Sequence, residues 1–323
     1  MPDRLSEKVW RILACPRCGG PLERKAVPGG ERARCPGCGE VFERNSLGQL
    51  DLRLRTGKVC RLDVEVPGAQ APPLAGAMSF ERLAPPAAPE VEVTRVSGPC
   101  HLPRDLRGYF PRAHRAHGAE GAGSGNLALD LGCGAAVHRE VCELAGFDYV
   151  GLDYGTPEAM ILGDAQALPF AAGSFELVLS IAVLEHVPFP LLMLREAFRT
   201  LEPGGALLGS VAFLEPFHQD SYYHHTHLGL LNALRHAGFA VERIAPAGGW
   251  PGLVAQANMG LFPGSPRWLA RMLVAPLLAL HRLWWRAGRL VDPAATEARR
   301  MIKTTGALLF LARKPGDPVA AAR

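Results

Sequence analysis

The sequence predicts an α/β protein: a doubly wound, mainly parallel sheet with a small metal-bound ribbon before it and a helical insertion ahead of its last strand. Three observations carry this expectation. From Asn126 onward, short apolar runs alternate with segments of helical periodicity, the pattern of strand–helix–strand units. Two near-identical CxxC turns stand close to the start, at Cys15-Pro16-Arg17-Cys18 and Cys35-Pro36-Gly37-Cys38. An acidic-glycine turn, Asp130-Leu131-Gly132-Cys133-Gly134, follows directly on the apolar run Leu127-Ala128-Leu129.

At 323 residues the chain is long enough for one α/β domain and a smaller module. With 48% hydrophobic and 20% charged residues it has the composition of a soluble globular protein, and a formal charge of +4 gives little support to a nucleic-acid partner. Residues 1–8 contain no apolar signal core, and the longest apolar runs fall short of a membrane-spanning helix. Paired CxxC turns in such a chain favour reduced, metal-binding thiols, so a cytoplasmic location is expected.

Residues 1–55 are expected to form the ribbon. Sixteen residues separate Cys18 from Cys35, within the zinc-ribbon spacing of about 15–20. Four sulfurs from Cys15, Cys18, Cys35 and Cys38 close a tetrahedral Zn²⁺ site and leave no position for water, which makes the metal structural. So small a module buries little core, and the metal supplies most of its folding energy. Residues 56–125 are rich in proline, alanine and glycine and are expected to be a linker, with the basic and aromatic stretch 104–115 as either a cap on the active site or a solvated tail.

The sheet domain is expected over 126–246 and 304–314. Strand one is Leu127–Leu131, followed by a helix carrying Val137, Val141, Leu144 and Ala145, and strand two is Tyr149–Leu152. A short strand ends near Gly163, strand four is Glu176–Ser180, and a helix spans about Leu191–Leu201. Glu202-Pro203-Gly204-Gly205 is expected to turn into a strand over Ala206–Phe213. The helix Leu228–Ala237, the strand Phe239–Ile244 and a last strand over Gly306–Ala312 complete the set. Residues 247–303 are the helical insertion. Within it Arg267, Arg271, Arg282, Arg286 and Arg289 fall within about 100° on a helical wheel, while Pro276 is expected to kink the helix. That stretch reads either as a packed lid or as an interfacial helix on anionic lipid, with Trp284 and Trp285 at the boundary and a peripheral membrane contact through 266–290.

The glycine turn lets backbone N–H groups and a carboxylate approach an adenosine-bearing cofactor closely. A second acid, Asp153, ends strand two, and a third, Asp164, follows the short strand, which together point to S-adenosylmethionine. The spacing of 19 residues from Gly134 to Asp153 would also serve a nicotinamide cofactor, but Val137 stands where that fingerprint needs its third glycine.

Residues 126–246 resemble the class I S-adenosylmethionine-dependent methyltransferases with a doubly wound Rossmann-like sheet. The resemblance lies in Leu129–Gly134, Gly163-Asp164-Ala165-Gln166-Ala167-Leu168-Pro169-Phe170, Val183-Leu184-Glu185-His186-Val187 and Leu201-Glu202-Pro203-Gly204-Gly205, in the family's order. It implies that Asp130, Gly132 and Gly134 hold the methionyl end of the cofactor and that Asp153 accepts the ribose hydroxyls. It also implies that Asp164 and Ala165 meet the adenine and that Ser180 and Ile181 face the methyl group. The ribbon, over residues 8–55, resembles small zinc-ribbon proteins that bind and activate tRNA and protein methyltransferases.

Methyl transfer to a hydroxyl or amine needs a base, and His186 and His218 are the two candidates at the carboxyl rim of the sheet. The crowded His224, His225 and His227 read as a polar substrate rim, with Thr226 as a helix N-cap, ahead of a metal site. The expected acceptor is a small molecule, a glycan or a lipid-linked substrate. Two alternatives stand beside it: an rRNA or tRNA methyltransferase using the ribbon's Arg17, Arg24, Lys25, Arg32, Arg34 and Arg44 on phosphate, and a non-catalytic S-adenosylmethionine-binding docking module.

Overall fold

A computed structural model describes residues 5–27, 30–54, 106, 109–111 and 126–316. An eight-stranded sheet dominates it. In chain order the early elements are α1 (Glu7–Ile12), β1 (Glu23–Val27), β2 (Gly30–Arg34), β3 (Val41–Phe42) and β4 (Leu50–Asp51). The sheet domain follows with β5 (Leu127–Leu131), α2 (Arg139–Leu144), β6 (Asp148–Asp153), β7 (Ile161–Leu162), β8 (Phe175–Ile181), α3 (Pro190–Thr200), β9 (Leu201–Ala212), α4 (His227–His236) and β10 (Ala240–Pro246). The insertion holds α5 (Gly252–Ala255), a π-helical stretch (Gln256–Leu261), α6 (Arg267–Gly288) and α7 (Glu297–Thr304), and β11 (Ala307–Arg313) closes the sheet.

The strand order is β10-β11-β9-β8-β5-β6-β7-β4. All pairings from β4 to β9 are parallel, and β11 runs antiparallel between β9 and β10. Chain direction across the sheet reverses between β5 and β8, which places a crevice at the carboxyl ends of the parallel strands. Burial on both faces explains the near-continuous apolar strands. Leu127, Leu129 and Leu131 turn toward one layer with Met193, Leu194, Leu230 and Leu234, while Ala128 turns toward Val141, Cys142 and Phe147 on the other.

The first module is not a free-standing unit. β1, β2 and β3 form its own small sheet, but β4 adds to the large one, Leu50 facing Ile161 and Asp51 facing Leu162. The Ala14 N–H donates to the Pro169 carbonyl at 3.0 Å, and the Ala171 N–H donates to Ile12 at 2.8 Å. Part of the stretch expected as linker or cap packs against the sheet. Leu106 and Phe110 are fully buried, and the Phe110 ring meets Phe147 edge-on at 6.4 Å, because an apolar side chain within reach of the sheet face gains more from burial than the chain loses in freedom. Apart from 106 and 109–111, residues 55–125 lie outside the described residues.

One local expectation is revised as well. Glu202–Gly205 is not a turn before a strand. β9 already pairs at Leu201 with Phe175, then resumes at Ala206 with Leu177, so the four residues between bulge out opposite Glu176. The Gly204 N–H there donates to the Lys314 carbonyl, which returns its own N–H to Gly205. Pro276, where a kink is expected, lies inside α6, and the helix is continuous through it. Thr226 is the N-cap of α4, accepting from the Gly229 N–H at 3.1 Å.

Candidate active site

Parallel strands bring their carboxyl ends to one rim, and most of the expected site residues gather there. Gly132 and Gly134 follow β5 with φ of +61° and +51°, a left-handed backbone that side chains resist. A Cβ at Gly132 would stand 2.8 Å from Val183, whereas the space beside Gly134 is open. The Gly134 N–H donates to Asp153 Oδ2 at 3.1 Å, and Asp153 Oδ1 accepts from the Gly155 and Thr156 N–H groups at 3.0 and 3.2 Å. Asp153 therefore ties the end of β6 to the glycine turn. The Gly163 N–H donates to the Asp153 carbonyl at 3.0 Å, which brings Asp164 alongside. Asp164 accepts from the Gln166 N–H at 2.8 Å, with Ala165 next to it partly buried.

Asp130 lies deeper, at 1% exposure. Its carboxylate accepts from the Tyr149 hydroxyl at 2.8 Å and lies 3.0 Å from His138 Nδ1. Burial and the Asp130 charge push the Tyr149 hydroxyl well above its ordinary range, so it stays a donor. Neither His138 nor Tyr149 was singled out in the sequence, because both reach Asp130 across elements. Ser180 is fully buried at the end of β8 and its hydroxyl has no partner among the described residues, and Ile181 follows it at the rim. Backbone strain is concentrated here too: Ala136, Ala182 and Gln219 adopt φ of +53°, +54° and +45°.

His186 and His218 come together on the other side of the crevice, ring centroids 5.1 Å apart and edge to face. His186 follows β8 on a short 3₁₀ turn, Leu184–His186, and His218 follows β9. His218 Nδ1 lies 3.1 Å from the Pro216 carbonyl, which acts only as an acceptor, so the proton sits on Nδ1 and Nε2 carries the lone pair. Burial lowers the His186 pKa, and the nearby His218 adds to this. Glu215 stands 3.9 Å from His218 Nδ1 and accepts from Trp250 Nε1 at 2.7 Å; burial raises its pKa.

Glu185 underlies the pair at 1% exposure. Its Oε1 accepts from the Ala212 N–H at 3.2 Å, its Oε2 has no partner among the described residues, and burial pushes its pKa up to about 7. Ligand atoms of Glu185, His186 and His218 lie within 4.8 Å of one another. His224, His225 and His227 form no such cluster. The His225 N–H is bonded to the Ala212 carbonyl at 2.9 Å, and its ring lies 6.1 Å from Tyr223.

The four ribbon cysteines also converge. Cys15 and Cys38 sulfurs are 3.5 Å apart, Cys18 and Cys35 sulfurs 3.4 Å, and all four lie within 4.8 Å. A tetrahedron with Zn–S bonds of about 2.3 Å has S···S edges of about 3.8 Å, so this donor set fits Zn²⁺. Without a cation, burial holds the Cys15 thiol at about 12, a cost that coordination removes. The ribbon's basic side chains are largely paired: Arg17 with Glu40, Arg24 with Glu7 and Glu31, and Arg44 with Glu31. Beneath the crevice Gln49, 2% exposed, donates from Nε2 toward the carbonyls of Thr156, Pro157 and Ala159, at 3.0, 3.1 and 2.6 Å.

Residues 129–209 match a family model described as a methyltransferase domain. Over that stretch the chain is similar to a methyltransferase domain, and the sheet that carries it is Rossmann-like. An uncharacterised methyltransferase of Mycobacterium marinum is 32% identical over 108 residues, which cover 29% of this chain and 42% of the relative. A ubiquinone biosynthesis O-methyltransferase of Psychrobacter arcticus is 31% identical over 127 residues, covering 34% of this chain and 49% of the relative. The chain therefore spans less than half the length of these two relatives. Among solved structures, an S-adenosylmethionine-dependent methyltransferase from Mesorhizobium loti aligns at 20% identity with a TM-score of 0.38, over 64% of this chain and 95% of that one.

Proposed function

We propose that the protein transfers a methyl group from S-adenosylmethionine to a hydroxyl or amine of a small-molecule, glycan or lipid-linked acceptor. The observation that carries this reading is the placing of two unlike halves on one sheet rim. The open space beside Gly134, bounded by Asp153, faces the carboxyl edge from which the His186–His218 pair also projects.

Bound S-adenosylmethionine supplies an electrophilic methyl group on a sulfonium. The residues present suit it: an unobstructed glycine turn for the methionyl end, Asp153 for the ribose hydroxyls, and Asp164 and Ala165 for the adenine. Asp130 acts from beneath, fixing the start of the turn through Tyr149 and His138. Ile181, partly exposed at the rim, would border the methyl group, with the fully buried Ser180 behind it. His218 receives the acceptor's proton at Nε2, since Nδ1 is committed to Pro216, and Glu215 lies near enough to stabilise the imidazolium that forms. His186 crowds the ring and fixes its orientation.

The cysteine site holds structural Zn²⁺ in this reading, and the ribbon works within the chain as a brace for the cofactor loop. Its paired arginines weaken the RNA alternative, because a guanidinium already bonded to a carboxylate must break that pair before it meets phosphate. The test uses purified protein, labelled S-adenosylmethionine and fractionated cell extract. Label in organic-soluble or small-molecule material supports the proposal. Label in RNA, or none anywhere while calorimetry still shows cofactor binding, replaces it with the RNA or the docking alternative.

A further inference from the structure

α6 is a 22-residue helix of which only Ala270 and Leu278 are buried. Val274, His281 and Trp285 complete the partly covered stripe, with Trp285 against His281 and Lys303. The opposite side is apolar and open. Met272, Leu273, Leu277, Leu280, Leu283 and Trp284 are all exposed, Trp284 at 75% and Leu280 and Leu283 at 62% each. On an ideal wheel this open apolar arc covers about 140°. Arg267, Arg271, Arg282, Arg286 and Arg289 line one flank of it, and residues 267–291 contain no acid. The nearest acid on the neighbouring helix is Glu297, which interacts with Arg282 and Arg286 and is bonded to Arg300.

We infer that α6 is a docking face for a membrane surface bearing anionic headgroups, lying flat with its apolar arc among the acyl chains. An apolar arc flanked by a cationic row matches the depth profile of such a surface, where guanidinium groups reach phosphate while leucines and tryptophans sink past it. A second copy of the chain fits less well. Two copies meeting on this face would bring arginine-rich flanks together with no acid inside the arc to pair them. Among the described residues no helix is long and apolar enough to cross a membrane, so the contact is peripheral.

The face is joined to the active site. Arg271 donates to the Gly249 carbonyl at 2.6 Å and Arg267 stacks on Trp250, whose indole holds Glu215 beside His218. Docking would therefore set the acceptor side of the crevice close to the lipid surface, which favours a lipid-linked acceptor over a freely soluble one. That last step rests on the proposed methyl transfer; the docking itself does not.

The test is co-sedimentation of the full chain with vesicles of phosphatidylcholine alone and of phosphatidylcholine mixed with phosphatidylglycerol. Partitioning at least tenfold stronger on the anionic vesicles is expected, weakening as salt is raised. A triple charge reversal, Arg282→Glu, Arg286→Glu and Arg289→Glu, is expected to lower it about a hundredfold, and Leu280→Ser with Leu283→Ser to lower it at least tenfold. Calorimetry with S-adenosylmethionine checks that both variants remain folded and keeps loss of docking distinct from failure of the cofactor site. Absence of vesicle binding by wild-type protein, equal binding to both vesicle types, or a stable dimer in ultracentrifugation that the leucine variant abolishes would overturn the inference.

Discussion

On the side of the crevice proposed for the cofactor, backbone N–H groups line the turn and the loops are held from behind. Asp153 collects three N–H groups, the loop after it is gripped by Gln49, and β4 seals the edge of β7. On the side proposed for the acceptor, polar side chains crowd on a loop between β9 and α4, one carboxyl is buried and a second partly so, and the adjoining helix leaves its apolar face open. In the proposed reading the first half takes a cofactor whose nucleoside end is the same at every turnover, which a rigid turn suits. The second would admit an acceptor and release the methylated product, and it is built from groups whose protonation and packing can respond.

Removing the metal probes the brace most severely. Structural Zn²⁺ contributes on the order of 10 kcal/mol to the folding of small ribbons. Cys35→Ser is therefore expected to abolish zinc retention by atomic emission, lower the melting temperature sharply and cost most of the cofactor affinity, since Gln49 and β4 lose their footing. Cofactor binding by metal-free protein at wild-type strength would dissolve the distinction between the halves.

His218→Ala attacks the other side alone. Turnover should fall roughly 10²- to 10⁴-fold, the range for a lost general base, with S-adenosylmethionine affinity unchanged. Asp153→Ala should do the reverse and weaken cofactor binding at least tenfold by calorimetry, as expected for a lost charge-assisted hydrogen bond of roughly 1.5–3 kcal/mol. A smaller effect belongs to Gln49→Ala. It strips three buried carbonyls of a shared donor, which should cost about 1–3 kcal/mol of stability and a measurable part of cofactor affinity.

The same contrast decides what the sequence revealed. Strands such as Leu127–Leu131 were legible because a strand buried on both faces is apolar throughout, and the cysteine cluster because metal geometry dictates spacing. The gathering of Gly134, Asp153 and Asp164 at one rim was legible with them, since glycine turns and acids at the ends of parallel strands share an edge. β4 was not, since Leu50 and Asp51 make too short a strand to show any period. The partners of Asp130 and the grouping of Glu185 with His186 and His218 escaped because they arise between elements distant in sequence. The histidines at 224, 225 and 227, read as a polar rim ahead of a metal site, converge on no shared metal position, because the His225 backbone is tied to β9 while Thr226 opens a helix.

His225 gives the gentlest test, one that separates stability from chemistry on the acceptor side. Burial, with the neighbouring His224 adding to it, depresses its pKa from 6.5 to about 4. The folded protein thus resists a proton that the unfolded chain accepts, and stability rises with pH wherever the unfolded state binds more protons. The contribution is complete above pH 6.5 and is lost as pH falls toward 4. At pH 5 the loss amounts to about 2 kcal/mol. His225→Phe keeps a ring in place and removes the titration. Urea melts at pH 7.5 and 5 should show the wild type losing about 2 kcal/mol more than the variant across that interval. Parallel losses would mean that the ring is hydrated in solution and that the acceptor half is looser than its burial indicates.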